Sequence, residues 1–183
     1  MNKAEEKLVD SYSRAGFPGI VPLRRYRILR WSILQHYEIC RTPLLDVTQS
    51  LRIAASFASL SAQNDAVVFA FGVPNISGAV TASAEAGLQI IRLASVCPPC
   101  AVRPHIQEGY LLGEYPEMGT FDQRTRYAPF EIDFGRRLVA KFTFSPDTFW
   151  LADKFPKVEK GDLYPKDDPL CRLAMEVKDE LGR

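Results

Sequence analysis

The chain has 183 residues, and its 23 basic and 22 acidic side chains leave a formal net charge of +1. This length predicts one domain over residues 1–183, large enough to fold without a disulfide or a bound metal ion. This balance of charge argues against a protein whose main task is to bind nucleic acid through its phosphates. A net charge near zero does not exclude a local basic patch.

The start of the chain is charged and lacks the apolar core of a signal peptide. No run approaches the ~20 apolar residues that span a bilayer, so we expect a cytoplasmic protein with no membrane partner and with reduced thiols. The Cys97-x-x-Cys100 spacing suggests zinc or redox chemistry as one alternative. Zinc usually takes four ligands, and the other two cysteines lie far away in sequence. The favoured alternative is therefore that Cys97 and Cys100 only pack within a turn.

The first third of the chain is predicted to be mainly helical. Apolar residues recur at helical spacing over residues 3–14 and 25–37, and a loop rich in glycine and proline separates these segments. Pro43 prevents a helix around it, so the chain is expected to turn there into a short extended stretch. Thr48 is predicted to cap a helix over residues 49–60.

The rest of the chain is predicted to contain most of the strands. A continuous apolar run at 66–73 predicts a buried central strand, and residues 75–87 predict a loop or a short helix. Helices early and strands late indicate an α+β fold, with N-terminal helices followed by a mostly antiparallel sheet. The other predicted elements are strands at 88–96, 107–112 and 138–144, an irregular segment at 113–130 and a last helix within 165–181.

Several polar residues stand among apolar neighbours between Trp31 and Thr48. Buried polar groups need partners, so this segment is either a structural hydrogen-bond network or a site. His36 either caps its helix or fills a core position, or it acts on a ligand as a donor, acid or base. Asp46 needs hydrogen bonds or a cation to stay charged. Its candidate partners are Arg41, Arg103, Thr48 and the amides that open the next helix.

Three blocks of the sequence carry a family resemblance. They are Gln35-His-Tyr37 with Thr42–Thr48 and Ala54-Ala-Ser-Phe-Ala58; Cys97–Leu112; and, more weakly, Leu163-Tyr-Pro165 with Asp167 and Asp168. Together they resemble the signature of the FRG domain, a widespread and poorly characterised bacterial domain, with a core over residues 25–168. The aromatic-Arg-Gly motif that names the domain has no counterpart here. The chain therefore resembles an FRG domain whose opening strand comes from elsewhere or is missing.

The Thr42–Ser50 stretch is also similar to the Ser-Thr-Ser strand of arginine-type ADP-ribosyltransferases. In that family an arginine grips the pyrophosphate of NAD, and a glutamate steadies the sugar as nicotinamide leaves. The chain lacks the first-strand arginine and a clear Glu/Gln-x-Glu element. Gln107 and Glu108 are adjacent, so on a strand they point to opposite faces. The pair at Glu131 and Asp133 has the two-residue spacing but matches nothing in the FRG pattern.

These resemblances imply an ADP-ribosyltransferase-like fold with NAD as a candidate substrate. The residues they assign to chemistry are His36, Asp46 and Gln107, and those assigned to nucleotide binding are Gln35, Tyr37, Thr42, Thr48, Arg103 and Gly109.

Three functional classes follow from the sequence. The first is a nucleotide-handling effector or toxin of a bacterial defence or toxin–antitoxin system. The second is a non-catalytic FRG binding module that needs a protein partner, a second copy or the missing strand. The third is a nuclease or another hydrolase that uses His36 and Asp46, although no cluster of carboxylates suggests a magnesium site. Loss of NAD would favour the first class, and an exposed strand edge would favour the second.

Overall fold

The computed structural model describes residues 1–116, 134–151 and 154–182. Its long helices are α1 (Asn2–Arg14), α3 (Arg27–His36), α4 (Leu51–Ser59) and α10 (Pro169–Leu181). Shorter helices or helical turns are α2 (Ile20–Arg25), α5 (Leu93–Val96), α6 (Arg103–Ile106), α7 (Phe134–Arg137), α8 (Pro146–Phe149) and α9 (Lys160–Leu163). The strands are β1 (Leu45–Thr48), β2 (Ala66–Phe71), β3 (Val80–Ser83), β4 (Leu88–Arg92), β5 (Gly109–Glu114) and β6 (Leu138–Phe144).

The main core lies between the helices and one face of a sheet. Helices α1, α3 and α10 each bury an apolar stripe with helical spacing, which is why these segments fold as amphipathic helices. The stripe of α1 centres on Leu8, which is fully buried, and that of α10 ends at Val177. Because α1 and α10 both contribute to this core, it extends beyond the range 25–168 that the family resemblance covers.

The larger sheet has the strand order β1-β5-β4-β3, with every neighbouring pair antiparallel. The residues of the central strands β4 and β5 alternate between two buried faces. Ile91 and Leu111 face the helices, whereas Ile90, Tyr110 and Leu112 form a second, smaller core on the opposite side. Strands β2 and β6 form a separate antiparallel pair with an irregularity between Ala70 and Phe71.

The predicted α+β class, with N-terminal helices and a mostly antiparallel sheet, is confirmed. Helices α1, α3 and α4 and strand β6 also lie where periodicity places them. None of the helices within the described ranges has the length and hydropathy of a membrane span.

Several predicted elements are corrected by the structure. The run at 66–73 is not a central strand: β2 pairs only with β6 in the described part of the chain, and Phe69 is 51% exposed. An apolar run alone does not distinguish a strand covered on both faces from one that borders an open cleft. Ser50, and not Thr48, caps α4, because its hydroxyl accepts from the Ile53 amide.

Five further differences from the predicted elements concern where helices and strands begin and end. Helix α2 begins inside the predicted glycine- and proline-rich loop, and β3 occupies part of the small-residue segment 75–87. The strand predicted at 88–96 ends at Arg92, where α5 follows. The strand predicted from Gln107 begins at Gly109, because Gln107 is the C-cap of α6. Strand β5 also continues to Glu114, inside the predicted irregular segment. The rest of that segment from residue 117, together with Glu131 and Asp133, lies outside the described residues.

Candidate functional site

A cleft of about 1030 Å³ lies between the two sheets. All residues from Leu45 to Leu51 and all residues from Val67 to Phe71 line it. A cavity against the face of a strand meets only alternate residues, so consecutive lining places this cleft along strand edges. Within the described residues, β1 pairs only with β5 and β2 only with β6. The cleft therefore reaches an edge of β1 and an edge of β2 that carry no neighbouring strand there, and it also lies against the sheet face that carries Ile90, Tyr110 and Leu112.

One end of the cleft carries three linked polar side chains, Gln35, His36 and Asp46. The Gln35 amide nitrogen donates to Asp46 Oδ2 at 2.9 Å, and its oxygen accepts from the backbone N–H of Thr42 at 3.0 Å. His36 Nδ1 lies 3.7 Å from Asp46 Oδ1, which is longer than a direct hydrogen bond but within ion-pair range. Gln35 therefore holds Asp46 in place beside the imidazole.

His36 is buried, and its Nε2 has no hydrogen-bond partner among the described residues. Burial lowers the pKa of His36 below its ordinary value, and the positive charge of Arg103 adds to that effect, while Asp46 acts in the opposite direction. The ring is therefore neutral near pH 7. Asp46 lies nearest to Nδ1, so a proton on that nitrogen is favoured and leaves the buried Nε2 without one.

Arg103 is the buried cation of the same end of the cleft. Its Nη2 pairs with Glu38 Oε1 at 2.7 Å, and its guanidinium carbon lies 4.5 Å from the centre of the Tyr164 ring. Its backbone N–H donates to Asp168 Oδ2 at 2.9 Å. These contacts fix the position of the positive charge.

Asp168 organises the support behind Arg103. Its side chain is fully buried and accepts from five donors, which are Tyr37 Oη and the backbone N–H groups of Val102, Arg103, Leu170 and Cys171. It thereby caps α10 and joins α3, α6 and α10. The sequence contained the signal for the cap, because Asp168 directly precedes a proline at the first position of a helix.

Gln107 and Gly109 shape the floor of the cleft. The Gln107 amide nitrogen donates to the Leu163 carbonyl at 2.8 Å, which ties the end of α6 to α9. A Cβ atom at Gly109 would lie 2.9 Å from Leu93 Cδ1 and 3.6 Å from His36 Cε1. Glycine is therefore the residue that lets β5 approach both side chains.

Most of the predicted site residues meet in this cleft. The seven that line it are Gln35, His36, Asp46, Thr48, Arg103, Gln107 and Gly109. Tyr37 and Thr42 do not line it: the Tyr37 hydroxyl donates to Asp168 Oδ2, and Thr42 binds the Gln35 carboxamide. The two distant sequence blocks thus come together at the cleft. The side chains of Tyr37 and Thr42 do not line it and instead form hydrogen bonds with Asp168 and Gln35.

The predicted partners of Asp46 are wrong. Its carboxylate is bound by Gln35, whereas Arg103 pairs with Glu38 and the Thr48 hydroxyl accepts from the Ser50 amide. Its side chain is 48% exposed, so water solvates part of its charge and no cation is required. Sequence reasoning assigned no site role to Glu38 or Tyr164, both of which line the cleft. Tyr164 stands in the third resembling block, but its contact with Arg103, like that of Glu38, forms only in the folded chain.

The Cys97–Cys100 pair does not face the cleft. Cys97 is buried in the main core, where burial raises the pKa of its thiol, and Cys100 is exposed. Across the described ranges, no three His, Cys, Asp or Glu side chains gather in a way that could hold a metal ion.

Comparisons with known proteins yield no match to this chain, whether with family models, with curated proteins or with solved structures.

Proposed function

We propose that this chain is an FRG-type, ADP-ribosyltransferase-like protein that binds NAD in the cleft between β1 and β2. The observation that carries the proposal is the convergence of two distant blocks at one end of that cleft. Glu38 and Arg103 are 65 positions apart and in direct contact, and His36, Asp46 and Gln107 line the same space. A mostly apolar cleft with a few converging polar groups suits a small organic ligand.

The walls and the polar end offer different chemistry to a dinucleotide. Phe57, Phe69 and Phe71 line the apolar part, where flat rings of a ligand bury their surface. The half-exposed Asp46 carboxylate has lone pairs left to accept ribose hydroxyls, as acidic residues do in other nucleotide sites. The neutral His36 ring, which lines the same end of the cleft, adds a polar group beside that carboxylate.

The proposed reaction breaks the bond between the ribose C1′ and the nicotinamide nitrogen. Nicotinamide leaves with the bonding electron pair, and the Asp46 carboxylate stabilises the positive charge that develops on the sugar. An acceptor hydroxyl, amine or water then forms the new bond to C1′ and gives its proton to the neutral His36 ring, which lines the cleft. Gln107 has a positioning role here, because its amide nitrogen is held by Leu163.

The experiment is NAD binding and consumption by the purified chain, compared with Asp46→Asn and His36→Gln. Each substitution is expected to lower turnover by about 100-fold or more, the usual range for a lost acid or base. Asp10→Asn is the matched control, because Asp10 is an exposed aspartate on α1 that does not line the cleft. Turnover that Asp46→Asn leaves intact would exclude this mechanism.

A second candidate function is favoured by the two strand edges, on β1 and β2, that have no neighbouring strand within the described ranges. The chain would then be a binding module that takes up an extended segment of another polypeptide between β1 and β2, in the manner of strand addition. A second copy of the chain is the simplest donor to test. As the protein concentration rises, hydrogen exchange of the backbone amides in Leu45–Thr48 should become slower. The sedimentation coefficient should increase over the same concentration range. Exchange that is independent of concentration would argue against a second copy as the partner.

A further inference from the structure

The guanidinium of Arg103 is a fixed positive charge at the cleft. Its side chain is only 10% exposed, its backbone is anchored on Asp168, and the Tyr164 and Tyr37 rings lie 4.5 and 5.6 Å from its centre. Its Nε is buried without a hydrogen-bond partner among the described residues. A guanidinium offers a planar fork of donors that matches an oxyanion, and here part of that fork is unused.

The present counter-ion of Arg103 is held much less firmly. The Glu38 side chain is 60% exposed and reaches Arg103 through one contact of 2.7 Å. Its backbone has φ of 56°, in the left-handed region that glutamate rarely adopts. A solvated carboxylate on a strained turn can swing into water, whereas the buried arginine cannot follow it.

We propose that Arg103 is an oxyanion subsite of the cleft, that Glu38 occupies it in the free protein, and that a phosphate group of the ligand displaces the Glu38 carboxylate. The identity of that ligand as a nucleotide rests on the proposed function, but the anion subsite itself does not. Its place is consistent with a dinucleotide, because Arg103, His36 and Asp46 line the same cleft. The pyrophosphate would lie at Arg103 and the adjoining ribose at Asp46.

The test is calorimetric titration of the whole chain with inorganic pyrophosphate, ADP-ribose and a nucleoside that lacks phosphate. Glu38→Gln keeps the size of the side chain and removes the competing charge, so pyrophosphate and ADP-ribose are expected to bind about tenfold more tightly. Affinity for the nucleoside should stay as in the wild type. This gain of binding is a result that a purely structural Glu38–Arg103 pair would not produce.

The matched control is Glu108→Gln. Glu108 is the other non-glycine residue with positive φ among the described residues, and it is an exposed glutamate that does not line the cleft. Its substitution should leave pyrophosphate affinity unchanged. Equal affinities in Glu38→Gln, Glu108→Gln and the wild type, or no pyrophosphate binding to any of them, would overturn the subsite.

The outcomes separate this inference from the proposed function. Tighter pyrophosphate binding in Glu38→Gln without any NAD consumption keeps the subsite and rejects the transferase. NAD consumption with pyrophosphate affinity unaffected by Glu38→Gln keeps the transferase and rejects the subsite. Tightening for pyrophosphate but not for ADP-ribose supports the subsite and identifies free phosphate compounds, rather than nucleotides, as its ligands.

Discussion

The helical core and the polar end of the cleft both contain ionisable groups, but they satisfy them differently. In the core, Glu5 is 5% exposed and accepts hydrogen bonds from Arg27, Arg30 and Trp31, and Asp168 accepts from five donors. At the cleft, His36 Nε2 and Arg103 Nε have no partner among the described residues. The two core carboxylates are therefore fully hydrogen-bonded, whereas each of these two cleft groups leaves one polar atom without a partner; the third such atom among the described residues, Arg92 Nε, lies outside the cleft.

The largest effect is expected for Asp168→Ala. The substitution leaves the Tyr37 hydroxyl and four backbone N–H groups without their acceptor, so the free energy of unfolding should fall by about 4 kcal/mol. Urea unfolding measures it, with Asp167→Ala as the control because Asp167 is the exposed neighbour. A loss no greater than that of the control would mean that Asp168 does not organise the core.

Glu5→Gln is expected to cost about 2 kcal/mol, because Arg27 and Arg30 lose their shared counter-charge. Burial acts to raise the pKa of Glu5, but hydrogen bonds from Arg27, Trp31 and Arg30 outweigh it and hold the pKa below its ordinary value. A lowered carboxyl pKa stabilises the fold above the ordinary pKa, and this stability is lost as the pH falls through the folded value.

Stability measured against pH checks this directly. The difference between wild type and Glu5→Gln should be constant at neutral pH and shrink below roughly pH 4. Glu6→Gln, an exposed neighbour on the same helix, should follow the wild type at every pH. A Glu5→Gln difference that persists unchanged in acid would contradict the ion-pair explanation.

A smaller effect is expected for Gly109→Ala. The new methyl group must displace the buried Leu93 side chain, at a cost of about 1–2 kcal/mol in thermal or urea unfolding. Because His36 also borders this position, ligand binding at the cleft should weaken as well. Gly161→Ala serves as the control, since a Cβ atom there meets no atom within 4 Å. If the two variants had the same free energy of unfolding, the close approach of β5 to Leu93 and His36 would not require a glycine.

The smallest effect on stability is expected for Asp46→Asn. Its half-exposed carboxylate is solvated and bound by a single amide, so the free energy of unfolding should change by less than about 0.5 kcal/mol. Urea unfolding beside Asp10→Asn measures this. A loss comparable to that of Glu5→Gln would place Asp46 among the structural carboxylates and remove the contrast between core and cleft.

Sequence patterns predicted the elements whose own residues determine them. The helices around Leu8 and Leu34 and the alternating strand β6 follow from periodicity, and the fold class follows from their order. Strand β3 was missed because it is only four residues long and stands in a segment rich in serine, alanine and glycine, although Val80 and Thr81 favour a strand; it forms by pairing with β4. The edge position of β2 depends on which strand pairs with it, which its own apolar run does not encode.

The residues of the candidate site also divide into those that the sequence indicated and those that only the fold brings together. The sequence marked His36 and Asp46 because polar residues stood out among apolar neighbours. It did not indicate that Asp46 would contact Gln35, or that Arg103 would contact Glu38, because these contacts depend on the packing of α3 against β1 and α6. Asp168 had a local cap signal, but its bonds to Tyr37 and Arg103 are tertiary.

The most direct test of the central claim is a titration of the chain with NAD that follows the histidine ring resonances. The chain has two histidines, so a His105→Gln variant assigns the His36 signal. His105 is exposed outside the cleft and serves as the internal reference. The predicted result is a saturable shift of His36 with His105 unchanged. Resonances of both histidines that stay fixed at millimolar NAD would contradict a nucleotide site at this end of the cleft.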